Sequence, residues 1–92
     1  GLLLPIFLNQ GNTVRFRLKT SNSSTIENLS ENESISNLKS LIRFTHKYLG
    51  DIQLSITNEK GKISYLTCDD SSTLKNCGIY SGCVVNVFME NQ

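Results

Sequence analysis

Histidine is nearly absent: the 92 residues hold one, at His46, and no CxxC pair occurs among the three cysteines. Such a set does not make a zinc site. Charge of one sign is not in excess either. Nine basic against eight acidic side chains leave +1, so no global field draws nucleic acid or a membrane. The odd cysteine count, at Cys68, Cys77 and Cys83, argues against a disulfide framework. It favours reduced thiols in an intracellular setting, cytoplasmic or nuclear. Long apolar runs are missing too. Residues 2–8, LLLPIFL, are too short to span a bilayer. No basic residue precedes them and no small-residue cleavage site follows, which speaks against a signal peptide. The single proline, Pro5, sits near the start of a strand pattern, where a missing donor is tolerated.

What is present suits one domain, residues 1–92. A chain this size buries roughly 60–65% of the surface its unfolded form exposes. Hydrophobic content is low at 38%. The shortfall lies mostly in residues 20–34, which leaves the rest free to build a core. Asn-x-Ser/Thr begins at Asn22, Asn28 and Asn32, as chance allows in so Asn- and Ser-rich a segment.

Alternation and spacing predict the elements. Leu4, Ile6 and Leu8 share one face of an opening strand, and Asn9–Asn12 is a turn signal. Val14, Phe16 and Leu18 then face inward, with Arg15, Arg17 and Lys19 outward. Residues 21–33 lack a periodic pattern and predict a polar insertion loop. An alternative register makes 13–20 the first strand, 25–30 the second and 2–10 a tail. The first register gives the apolar opening a role and is the one adopted; it pairs 4–9 with 83–88. A helix is predicted from an N-cap at Ser34 to a stop at Gly50. Its apolar stripes are Ile35, Leu38, Ile42 and Leu49, and Leu41, Phe44 and Tyr48.

A second hairpin follows. Ile52, Leu54 and Ile56 point inward, Asn58–Gly61 makes the turn, and Ile63 packs on the return strand. After a polar loop come the lone apolar Leu74 and Ile79, then a Ser81-Gly82 turn. The closing strand has Cys83, Val85 and Val87 on one face and Val84, Asn86 and Phe88 on the other. The expected core is Ile6, Leu8, Val14, Phe16, Ile35, Leu38, Ile42, Leu54, Leu74, Ile79, Val85 and Val87.

The order strand, strand, helix, strand, strand, strand resembles the ubiquitin-like, or β-grasp, family. Ile6-Phe7-Leu8 with Thr13-Val14, Ser34 to Ile42, Leu54 with Ile56, Thr73-Leu74 with Ile79, and Val85 with Val87 carry the likeness across nearly the whole chain. Gly78-Ile79-x-x-Gly82-Cys83 is similar to the built-in domains of tubulin-folding cofactor B and of BAG co-chaperones. The fold implied is α+β: a five-stranded mixed sheet packed on one main helix, with first and last strands parallel. The function implied is a non-enzymatic, non-covalent protein-interaction module of a larger intracellular protein, monomeric in isolation. Two alternatives are a modifier whose Gly-Gly lies beyond Gln92, and the ubiquitin-fold domain of an activating enzyme.

By position, the family's apolar recognition patch becomes Ser55, Asn86 and Phe88, so ordinary ubiquitin receptors should bind poorly. The resemblance also implies that Lys39 pairs with Asp69 or Asp70. Phe7, Arg15, Arg17, Val84, Asn86 and Phe88 are the candidate protein-binding residues, the arginines suiting an acidic partner. A solvated strand face is the plain alternative. A thiol pair of Cys77 or Cys83 with His46 lacks an orienting third group, and buried structural cysteine is the simpler reading. No catalytic, metal or cofactor residue is expected, and no nucleic-acid or membrane partner.

Overall fold

The computed structural model describes residues 12–89. Five strands and one helix follow in the order β1 (Thr13–Lys19), β2 (Ser24–Ser30), α1 (Ile35–His46), β3 (Ile52–Thr57), β4 (Ile63–Tyr65) and β5 (Val84–Met89). The strand order across the sheet is β2-β1-β5-β3-β4. The expected α+β architecture, a mixed five-stranded sheet with one helix, is what forms.

The register is not the adopted one. The parallel partner of β5 is β1, with Arg17 opposite Val84 and Lys19 opposite Asn86. On its other side β1 pairs antiparallel with β2 from Thr13–Ser30 to Lys19–Ser24. Residues 24–30 are therefore a strand, which overturns the insertion loop at 21–33. Residues 4–9, with Ile6, Phe7 and Leu8, lie outside the described residues. The turn at Thr20–Ser23 closes on a Thr20 N–H to Ser23 carbonyl bond of 2.8 Å. Among the described residues β2 is an edge strand and meets a neighbour on one side only. It sends Leu29 against the core and leaves Ile26 on the open face.

Alternation along β1, β3 and β5 sends Val14, Phe16, Leu18, Ile52, Leu54, Ile56, Val85, Val87 and Met89 to one face. Ile35, Leu38 and Ile42 of α1 meet them, and Leu74, Ile79 and Cys83 complete the core. Every expected core residue within 12–89 is buried. Ser34 caps the helix, its Oγ accepting from the Asn37 N–H at 3.1 Å.

The helix stops earlier than Gly50. Lys47 takes a left-handed φ of 53° and its N–H returns to the Arg43 carbonyl. Leu49 thus falls outside the helix and is exposed, and Phe44 faces solvent as well. Gly50 has another use: a Cβ there would run into the Tyr48 ring.

The segment after β4 lies along the start of α1. The Ser72 and Asp70 carbonyls accept from the Ile35 and Ser36 N–H groups, at 2.9 and 2.8 Å. Lys39 pairs with Asp70 at 2.8 Å, so Asp70 rather than Asp69 is the acid. Across the same segment Cys68 and Cys77 form a disulfide, with Cα atoms 5.9 Å apart. The expectation of three free thiols fails here, because loop packing brings together residues that sequence spacing does not mark. Cys83 alone is free, and it is buried.

Candidate functional site

Alpha helix and core occupy one face of the sheet. The other is open, and pairing arranges its side chains in rows. One row runs Ile26, Arg17, Val84, Thr57 and Ile63; the next runs Ser24, Lys19, Asn86, Ser55 and Tyr65; Phe88 then stands beside Gln53. Ile26, Ile63, Tyr65 and Phe88 are exposed there.

Five of the six candidate binding residues meet on this face. Arg15 and Arg17 project from β1 as exposed side chains, while Val84 and Asn86 are half-buried on β5 and Phe88 is 64% exposed. Phe7 lies outside the described residues. Period-two alternation puts each of them on the outward side of its own strand, and the parallel pairing of β1 with β5 brings the two strands side by side.

Ile63, expected to pack on the return strand, lies exposed on this face instead. Opposite the outward position of Thr57 it cannot turn inward, and β4 is a three-residue edge strand with little to cover it.

Two of the surface hollows lie among these rows. The larger, about 730 Å³, lies among Lys19, Ser55, Ile63, Tyr65, Asn86 and Phe88. Its floor is polar: Asn86 Nδ2 donates to Ser55 Oγ at 3.2 Å and to Thr57 Oγ1 at 2.8 Å. That bridge fixes the amide and helps keep Ser55 buried on an otherwise open face. The smaller hollow, about 440 Å³, is bounded by Arg15, Arg17, Ile26, Ser81, Gly82 and Val84. The Gly82 N–H donates to the Arg15 carbonyl at 2.9 Å, and Ser81 Oγ accepts from the Arg15 N–H at 3.2 Å. With φ at 98°, Gly82 occupies a conformation that side-chain-bearing residues rarely adopt, and so brings this turn onto the strand.

The thiol chemistry weighed from sequence is not assembled. Cys77 is bonded to Cys68, and burial pushes the Cys83 thiol up. Among the described residues, no three His, Cys, Asp or Glu side chains gather as a metal would need.

Beyond the end of β3, the Tyr80 hydroxyl donates to Glu59 Oε2 at 2.8 Å. This bond holds the Glu59 carboxyl below its ordinary pKa and pushes the Tyr80 phenol up. Tyr80→Phe is expected to raise the Glu59 pKa toward that of an ordinary glutamate. A carboxyl-carbon NMR titration checks it, and an unchanged midpoint would show that the hydroxyl is not the cause.

No family model and no curated protein sequence matches the chain. Solved structures do. The C-terminal ubiquitin-like domain of mouse tubulin-specific chaperone e superposes with a TM-score of 0.76 at 18% identity, over 89% of this chain and 91% of that one. A ubiquitin-like domain from tubulin-binding cofactor B gives 0.73 at 14%, over 83% and 88%. One from an Arabidopsis thaliana protein gives 0.70 at 20%, over 88% and 81%. At such identities the likeness is one of fold. Strand order, the crossing helix and these superpositions make this chain a domain of the ubiquitin-like β-grasp fold.

Proposed function

We propose that the chain is a non-covalent protein-interaction module that docks a partner through the open face of its sheet and carries no catalysis of its own. The observation behind this reading is the second sheet face, where Ile26, Ile63, Tyr65 and Phe88 stay exposed around two hollows. Buried aromatic anchors commonly dominate an interface, and single scattered apolar residues do not form one. Here Ile63, Tyr65 and Phe88 line one hollow, and Ile26 lines the other toward the opposite edge of the sheet. The ubiquitin-like domains of tubulin cofactors share the fold, which supports an adaptor role within a larger protein. The Cys68–Cys77 bond speaks against the reducing intracellular setting expected from the sequence, because such bonds are rare there.

A photo-reactive side chain at Phe88, introduced into the protein in its own cells, should trap a partner, and one at Phe44 should not. The reverse pattern would move the site to the helix. Phe88→Ala should weaken binding of the trapped partner by about tenfold with an unchanged melting curve, since an exposed side chain adds little to stability.

A further inference from the structure

We infer that the β2–β1–β5 side of the open face is built to seat an acidic peptide segment, its carboxylates on Arg15 and Arg17 and an apolar side chain in the hollow between them, Ile26 and Val84. The inference rests on the open-face reading and adds the partner's chemistry. Charge is the first observation. The chain as a whole is nearly neutral, yet the outward rows of the five strands carry Arg15, Arg17 and Lys19 and no carboxylate.

The strand acids and their neighbours point elsewhere. Glu27 stands opposite Phe16, on the helix side of β2. Glu31 faces Lys75 at 3.9 Å. Glu59 is engaged by Tyr80. Among the described residues, the positions paired beside Arg15 and Arg17 carry no acidic side chain, and Asp51 stands at the far end of the face beside Gln53 and Phe88; a negative partner segment supplies the complement.

Geometry is the second observation. Outward residues recur every second position along β1, about 6.7 Å apart. That spacing matches alternate side chains of an extended segment laid along the strand. Arg17 is already oriented, its Nη1 donating to Ser24 Oγ at 2.9 Å. A planar guanidinium held this way keeps further N–H groups for a carboxylate, where fork-to-fork pairing adds direction to charge. The Ser81-Gly82 turn, bonded to Arg15 on both sides of its backbone, closes one end of the hollow. Ile26 and Val84 give it apolar walls. Electrostatics alone would attract any polyanion. The walled hollow is what selects a peptide with an apolar side chain beside its acids.

The test uses three synthetic peptides titrated into the isotope-labelled chain. One alternates glutamates around a central leucine, one replaces each glutamate by glutamine, and one replaces the leucine by alanine. The glutamate–leucine probe should shift the side-chain signals of Arg15 and Arg17 and the methyls of Ile26 and Val84. Both altered probes should bind at least about tenfold more weakly, and added salt should weaken the first. Arg17→Glu should remove binding, whereas Lys60→Glu, in the β3–β4 turn, should not.

Equal binding of the glutamine probe overturns the inference, as does equal displacement by a single-stranded oligonucleotide. If the probe fails while the reagent at Phe88 still traps a partner, the acidic-segment inference alone falls. If both fail, the open-face reading falls with it.

Discussion

Phe16→Ala should remove about 3–5 kcal/mol of stability, the largest single loss expected of any side chain here. Phe16 is 1% exposed at the centre of β1, between β2 and β5 and beneath the helix. Deleting its ring takes away apolar burial and leaves a cavity that three fixed elements cannot close. Against a typical total of about 5–15 kcal/mol, that loss brings the domain near its unfolding threshold. Leu38→Ala, on the buried face of α1, should cost about 2–5 kcal/mol. Phe44→Ala is the control: Phe44 is 85% exposed, and its removal should change stability by less than about 0.5 kcal/mol. Urea melts of the three variants measure this directly. Equal losses for Phe16 and Phe44 would show that the faces are assigned wrongly.

Breaking the Cys68–Cys77 bond should cost about 2–3 kcal/mol, because a cross-link over so short a loop removes a moderate amount of unfolded-chain entropy. The two cysteines are nine positions apart. The loss should be uneven within the fold. The loop they clip holds the Asp70 and Ser72 carbonyls on the Ile35 and Ser36 N–H groups, and these amides should exchange faster before the rest. Chemical denaturation with and without reductant gives the total, and amide exchange gives the distribution. Thiol labelling is an independent check. The native oxidised chain should react at no cysteine, since Cys83 is buried, and after reduction it should react at Cys68 and Cys77. Immediate labelling of all three cysteines without reductant would show that the bond does not form.

Strands whose faces differ sharply were legible in the sequence. The alternation of Val14, Phe16 and Leu18 against Arg15, Arg17 and Lys19 gave both the core face and the basic column, and the same holds for Val85 and Val87 against Val84, Asn86 and Phe88. β2 was not legible, because an edge strand needs little apolar character. Ile26 and Leu29 are an odd number of positions apart, which in a strand puts one on each face; taken as a failed alternation, that spacing hid the strand. Ile63 misled for the opposite reason: an apolar residue at an edge suggested a core that does not extend so far. The disulfide left no local mark at all, since it depends on how one loop folds back on another. Of the site, the column along β5 could be read in advance. The contribution of Tyr65 and Ile26 depended on the order of strands across the sheet, which alternation does not encode.

That order also dictates when the molecule can come into being. The last strand in sequence, β5, is the middle strand in space, bonded to β1 on one side and to β3 on the other. Until it arrives, the β1–β2 hairpin and the β3–β4 hairpin have nothing to join them into one sheet. During synthesis the earlier segments must therefore wait, with Phe16 and Leu54 uncovered, for residues far downstream. Contacts this distant along the chain slow folding, because a long loop must close before any stabilisation is gained. A polypeptide stopped short of Val84 would lose the seam between its two halves rather than one border of the sheet, and would present two unpaired strand edges to its neighbours, a known route to aggregation.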